Sequence, residues 1–226
     1  MRNGFAAPHR ESVTGMSDSG LREQICLLGK SLFDRGFTVG SSGNISVRTE
    51  DGNWLMTPTN ACLGRLDPAR LSVVDSKGSP LSGDKPTKES FLHLSMYEQR
   101  PDAGAVVHLH STHSVAVSVL ADINEDEPIP PITAYYVMKI GQLKLLPYFA
   151  PGDMSLANAV REVAGRHHAI MLANHGPIVA GKTLEAAVYA SEELEETAKL
   201  FLLLRGNKLN ILDSAQVAEL KAKWPS

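Results

Sequence analysis

The sequence predicts an α/β fold built on a central, mainly antiparallel sheet covered by helices. Three observations carry this. Short apolar or alternating segments recur along the chain, among them Ile45–Arg48, Trp54–Met56, Leu71–Asp75, Ala105–Val107, Leu143–Leu146 and Ala169–Leu172. Asp51-Gly52 is a hairpin signal, and Gly176-Pro177 sets a tight turn before Ile178–Gly181. Amphipathic helical patterns interleave with these strands and follow them, as helices covering a sheet must.

The elements follow in order. Met1–Met16 is rich in Gly, Ser, Arg and Pro without apolar periodicity, so residues 1–16 are expected to form a disordered extension. Residues 17–226 are expected to form a single domain, since 226 residues at 43% hydrophobic content supply one self-sufficient core. Leu21, Ile25, Leu28, Leu32 and Phe33 recur at helical spacing before Gly36, a natural C-cap. Gly40-Ser41-Ser42-Gly43-Asn44 is a loop before a strand; it is either a plain tight turn or a cradle of N–H groups and hydroxyls for an anion. Thr57-Pro58-Thr59-Asn60 closes the next strand, so the two loops should lie side by side.

After Pro86, Thr87 is placed to cap a helix through Phe91, Leu92, Ser95 and Met96, with Lys88 and Glu89 in its first turn. Glu89 there is either a dipole-compensating carboxylate or a site residue. Thr112–Leu120 reads as a short helix with Val115, Ala116 and Val119 inward, Asp122–Pro131 as a surface loop, and Tyr135–Met138 as a strand. A helix follows Pro151-Gly152-Asp153 through Leu156, Ala159, Val160 and Val163. Leu184 to Leu202 marks a long amphipathic helix whose glutamates from Glu192 to Glu196 form a solvated face, and a last helix from about Ser214 carries Val217 and Leu220.

Composition narrows the function. The net charge of −3 supplies no basic field for nucleic acid. No apolar run approaches the roughly 20 residues of a membrane span, and no signal-peptide core precedes the first helix, so a cytoplasmic protein is expected. Cys26 and Cys62 stand apart, outside any CxxC pattern, and Cys26 reads as a buried thiol on a helix. The chemistry concentrates at His108-Leu109-His110. On a strand, His108 and His110 face the same way, so two imidazoles can meet one metal ion, or simply hydrogen-bond at a strand end. His175, at the end of another strand, is well placed as a third ligand. His113 is better read as a capping or packing residue.

Taken together and in order, Ser41-Ser42-Gly43-Asn44, Thr57-Pro58-Thr59-Asn60, Glu89 after Pro86-Thr87-Lys88, and His108-Leu109-His110 with Asn174-His175-Gly176 resemble the class II aldolase/adducin family from about Ser17 to Arg205. That family includes L-fuculose-phosphate aldolase and L-ribulose-phosphate 4-epimerase. The resemblance implies a three-layer α/β/α fold and a homotetramer with sites at subunit interfaces, where Tyr135 or Tyr136 would reach a neighbour's site. It implies one zinc or other divalent metal per subunit on His108, His110 and His175. Glu89 would be the acid/base carboxylate and an additional metal ligand. Ser42-Gly43-Asn44, Thr59-Asn60 and Thr87-Lys88 would be the loops holding a substrate phosphate.

Three neutral imidazoles leave such a metal dicationic, able to stabilise the enediolate that forms when a bond next to a carbonyl breaks. Pro86-Thr87-Lys88-Glu89-Ser90, His108–His113 and Tyr135–Lys139 further resemble the family's 3-oxo-tetronate 4-phosphate decarboxylase branch. The reaction implied is loss of carbon dioxide from a phosphorylated sugar acid through a metal-bound enediolate, giving dihydroxyacetone phosphate. Lys88 in a first helical turn gains nothing from the helix dipole, which suggests a compensating anion such as the substrate carboxylate. The alternatives are a sugar-phosphate aldolase and a non-catalytic adducin-like module, which lacks the metal histidines.

Overall fold

The computed structural model describes residues 18–150 and 152–224. The extension expected over 1–16, together with Ser17 and Pro151, lies outside the described residues. Among the described residues eight strands form one sheet: β1 (Asn44–Arg48), β2 (Trp54–Met56), β3 (Ser72–Val74), β4 (Pro80–Ser82), β5 (Ala105–His108), β6 (Lys144–Leu146), β7 (Ala169–Leu172) and β8 (Gly176–Gly181). Their order is β4-β3-β2-β1-β5-β8-β7-β6, and β6 with β7 is the parallel pair in an otherwise antiparallel ladder.

Among the described residues seven α-helices cover it: α1 (Asp18–Asp34), α2 (Ser90–Gln99), α3 (Thr112–Ser118), α4 (Ala134–Lys139), α5 (Ser155–Ala164), α6 (Leu184–Leu204) and α7 (Ser214–Lys223). Because successive strand residues face opposite ways, the central strands feed two helical layers. Val106, Ile170, Leu172 and Ile178 pack with Leu92 and Met96 of α2 and Leu156 and Val160 of α5. On the other face, Ile45, Leu55, Ala105 and Val107 pack with Ile25 and Leu32 of α1 and Val188 of α6. Met171 and Val179 meet Val117, Val137, Leu194 and Ala198 from α3, α4 and α6. Each such aliphatic side chain withdrawn from water stabilises by about 1.5–3 kcal/mol, so burial on both faces makes the layering compulsory. The fold is the three-layer α/β/α arrangement with a mainly antiparallel sheet.

Several expectations need correction. Tyr135–Met138 is helical, not a strand. Thr133 caps it by accepting a hydrogen bond from the Tyr136 N–H, and Tyr136 and Val137 are buried on one side while Tyr135 is exposed. The Tyr136 hydroxyl donates to the Ile129 carbonyl, which ties that ring into the core beneath the helix. Helix α2 starts at Ser90, so Lys88 and Glu89 precede its first turn and Thr87 is not its cap. In α3 the buried residues are Ser114, Val117 and Ser118, whereas Val119 is exposed. Glu195 is buried, not solvated. Its carboxylate accepts the N–H groups of His113 and Ser114 and the Ser114 hydroxyl, completing the start of α3. The edge strand β4 and two short 3-10 turns at Leu63–Arg65 and Pro68–Arg70 were not anticipated.

Candidate metal centre

The centre forms where β5 ends and β8 begins, on the face covered by α2. His108 shares that face with Val106 and sits directly opposite Asn44 in the β1–β5 pairing. The chain continues through Leu109, whose N–H donates to the Pro177 carbonyl, and delivers His110 beside His108. His175 comes from the turn between β7 and β8. Asn174 there has a left-handed backbone (φ 58), and its N–H donates to Ser118 Oγ at 3.1 Å. Gly176, at φ 147, lets the two strands approach, because a Cβ would fall 2.2 Å from the Leu109 carbonyl oxygen. Only glycine allows this closeness.

Three Nε2 atoms converge as a result. His108 to His110 is 3.1 Å, His108 to His175 is 3.3 Å and His110 to His175 is 3.1 Å. Glu89 completes the group, with Oε1 3.1 Å from His175 Nε2 and Oε2 3.6 Å from His108 Nε2. One donor atom from each of the four lies within 4.8 Å of the others. Two ligands about 2.0–2.1 Å from one zinc at a tetrahedral angle stand about 3.3–3.4 Å apart, so the imidazole spacing suits one ion. The tautomer agrees. His108 Nδ1–H donates to the Pro177 carbonyl at 2.9 Å, leaving Nε2 as a bare lone pair aimed at its neighbours. Such a set of acceptors at contact distance fits a cation.

Electrostatics point the same way. Burial pushes His108 down to about 3, and burial followed by the neighbouring His175 lowers His110, so both stay neutral and ligating near pH 7. Burial acts to raise the Glu89 carboxyl, but His108, the hydrogen bond at His175 and the Asn44 amide together hold it below the usual carboxylate range.

A cavity of about 370 Å³ opens beside the centre, lined by Ser42 to Asn44, Thr59 and Asn60, Thr87 to Glu89, and His110. Backbone bonds tie its walls together: the Thr59 N–H donates to the Lys85 carbonyl and the Thr87 N–H to the Thr57 carbonyl. The expected loops are therefore neighbours, but their side chains differ in use. The Ser42 hydroxyl donates to the Val39 carbonyl, and Thr87 is buried with its oxygen accepting the Glu89 N–H. Asn44 is also buried, its amide donating to Glu89 Oε2 at 2.7 Å. Thr59 is half-buried, and Asn60 and Lys88 are exposed, on the cavity wall. His113 lies outside the cluster, paired with Glu195 at 2.8 Å.

Sequence reasoning missed the residues behind Glu89. His93 and Tyr97 follow it at one-turn intervals on α2 and are buried against Asn44 and Ser46 of β1. The i, i+4, i+8 spacing of three polar residues was the available signal.

Comparison with known proteins agrees with this geometry. The chain is 46% identical over 205 residues to the 3-oxo-tetronate 4-phosphate decarboxylase of Escherichia coli K12, covering 91% of this chain and 97% of that one. It is 48% identical over 189 residues to the protein of the same name from Cupriavidus necator, covering 84% and 87%. The L-fuculose phosphate aldolase of Methanococcus maripaludis is 36% identical over 186 residues, covering 82% and 96%. Among solved structures, YgbL from Klebsiella pneumoniae superposes with a TM-score of 0.89 at 45% identity, covering 91% of this chain and all of that one. No helix among the described residues is long and apolar enough to cross a membrane. Residues 23–202 match the Class II Aldolase and Adducin N-terminal domain, and the chain belongs to that family.

Proposed function

We propose that this chain decarboxylates a 3-oxo-tetronate 4-phosphate, giving dihydroxyacetone phosphate and carbon dioxide. The observation that carries the reading is the near full-length likeness to relatives bearing that activity's name, at 46–48% identity. The geometry supports it by gathering a metal-ligand set, a carboxylate and a lysine around one cavity. In a β-keto acid, the electron pair of the breaking C1–C2 bond flows into the 3-keto oxygen, leaving an enediolate that must be protonated at C2. His108, His110 and His175, with Glu89 as a further ligand before substrate arrives, would hold one zinc ion per chain, and when bound it would supply positive charge for that oxygen.

Glu89 is the group that delivers the proton. A substrate bearing a phosphate and a carboxylate raises its proton affinity by like charge, toward the acid form the step needs. Lys88, one residue earlier on the cavity wall, meets the substrate carboxylate, while Thr59, Asn60 and the Ser42-Gly43 backbone receive the phosphate. Asn44, whose amide donates to the Glu89 carboxylate, and Thr87, whose oxygen accepts the Glu89 backbone N–H, serve Glu89 rather than the phosphate. The domain extends over 17–226, and the molecule works as a cytoplasmic homotetramer, in keeping with two free cysteines.

The test is kcat/KM for 3-oxo-tetronate 4-phosphate against a panel of ketose 1-phosphates. Strong preference for the keto acid is expected; preference for a ketose 1-phosphate would make the protein an aldolase. Light scattering at micromolar concentration checks the assembly, and a monomer there would contradict it.

A further inference from the structure

Behind Glu89 runs a row of buried polar side chains that the reaction does not touch. Asn44 Nδ2 donates to Glu89 Oε2 at 2.7 Å, and Asn44 Oδ1 faces His93 Nε2. His93 Nδ1 lies 2.7 Å from Ser46 Oγ, and the Tyr97 hydroxyl donates to the Ser46 carbonyl at 3.0 Å. His93 and Ser46 are fully buried, and Asn44 and Tyr97 nearly so.

The direction of every bond follows from the carboxylate end. An ionised Glu89 only accepts, so Asn44 turns its NH₂ toward it and its oxygen toward His93. That oxygen requires a hydrogen on His93 Nε2. Nδ1 of a neutral ring is then an acceptor, and the Ser46 hydroxyl must donate to it. With Glu89 ionised, reversing the Asn44 amide would set its oxygen against the carboxylate, a conflict that remains even if the imidazole changes tautomer to accept the NH₂ at Nε2. Buried polar groups left in such conflict cost more than an apolar contact in their place, so the row has one satisfied arrangement.

We propose that His93 is a positioning residue for the Glu89 acid/base step: its Nε2–H, fixed by Ser46, orients the Asn44 amide, which holds the carboxylate beside the histidine cluster. This rests on the decarboxylase reading for its kinetic consequence, though not for its structural one. Misplacing a reacting group by about 1 Å is enough to cost about 100-fold in rate, so loss of the Nε2–H should lower turnover without affecting substrate binding.

The experiment compares His93→Leu with His93→Gln, whose side-chain amide can reach as Nε2 does. His93→Leu should lower kcat about 10- to 100-fold, with KM and metal content near those of the parent, and His93→Gln should recover most of the loss. In an Asn44→Leu background, His93→Leu should have little further effect, because the two act in series. Crystal structures should show the Glu89 carboxylate displaced in His93→Leu and in place in His93→Gln. If Leu prevents folding, Ser46→Ala carries the same comparison by removing only the donor to Nδ1, with lower kcat at unchanged KM expected. Parental kcat in these variants, equal losses in Leu and Gln, or an unmoved carboxylate in His93→Leu would overturn the proposal. If the parent does not turn over the keto acid phosphate, the functional reading fails, and the crystallographic comparison still decides the positioning claim.

Discussion

Glu89→Gln separates a chemical role from a structural one. The substitution keeps the side chain's size and removes its charge. The Gln oxygen can accept the Asn44 amide in place of Oε2, now at 2.7 Å, and its NH₂ then faces His175 Nε2, now 3.1 Å from Oε1. Both contacts survive in form, so the folding cost should stay near one ordinary hydrogen bond, about 1 kcal/mol. Loss of a proton-transferring group costs about 10²–10⁴ in rate, or about 2.7–5.4 kcal/mol of transition-state stabilisation. The chemical effect therefore exceeds the structural one. The assay is kcat at saturating substrate, with metal per chain and the thermal midpoint measured on the same preparation. A kcat within a few-fold of the parent, with metal retained, would refute the reasoning and leave Glu89 a structural partner of the histidines.

Four further outcomes are expected. His110→Ala should lose most of the bound metal in elemental analysis, and full retention would remove His110 from the ligand set. Lys88→Ala should lower kcat/KM about 10-fold, mainly through KM, since the lysine is exposed and its ion pair is screened; an undiminished rate would free Lys88 of its role. Gly176→Ala places a Cβ 2.2 Å from the Leu109 oxygen, so the β5–β8 junction must move. A thermal midpoint and metal content equal to the parent's would show that this close approach is not needed. In metal-free protein, burial holds His93 at about 4 when folded against 6.5 as a free side chain. Between those values the unfolded chain binds the extra proton, so stability is full above about 6.5 and falls as pH drops toward 4. Denaturant midpoints at pH 7 and pH 5 test this, and His93→Gln should reduce the difference without removing it, because His108 and His110 are also lowered.

The layered fold was legible because burial on both faces leaves plain apolar strands such as Ala169–Leu172, and because Leu184 to Leu202 keeps one helical period. The cluster was legible for a different reason: ligand chemistry demands histidines, and although the strand ends at His108, the Leu109 N–H still bonds to the Pro177 carbonyl and His110 lands beside His108. Misreadings came where local pattern and tertiary context compete. Tyr135–Met138 is a four-residue apolar run, too short for its period to separate strand from helix, and the Thr133 cap decides it. Glu195 was hidden in a run of glutamates, although it lies four residues after Ser191 and three before Ala198, both on the buried stripe of α6. Thr87 carries the usual residue type for a cap and its oxygen does accept the Glu89 N–H, but the helix itself begins only at Ser90. The i, i+4, i+8 spacing put Glu89, His93 and Tyr97 on one helix face, but their partners sit on β1, and no local rule pairs a helix residue with a distant strand.

The cluster's chain connectivity has a thermodynamic consequence. Its members come from the segment before α2, the end of β5, the second residue beyond it, and the β7–β8 turn, while β5 is held between β1 and β8. An unfolded chain keeps only the His108–His110 pair together; the rest must be brought in across long loops whose closure entropy the fold has already met. An ion that prefers the assembled cluster thus acts as a reversible cross-link, adding about 1.4 kcal/mol of unfolding free energy for each tenfold excess of free metal over its dissociation constant. Residual affinity of the local pair in the unfolded state subtracts from that gain. The protein's melting temperature should then report the free metal concentration around it, as a titratable property of the whole fold.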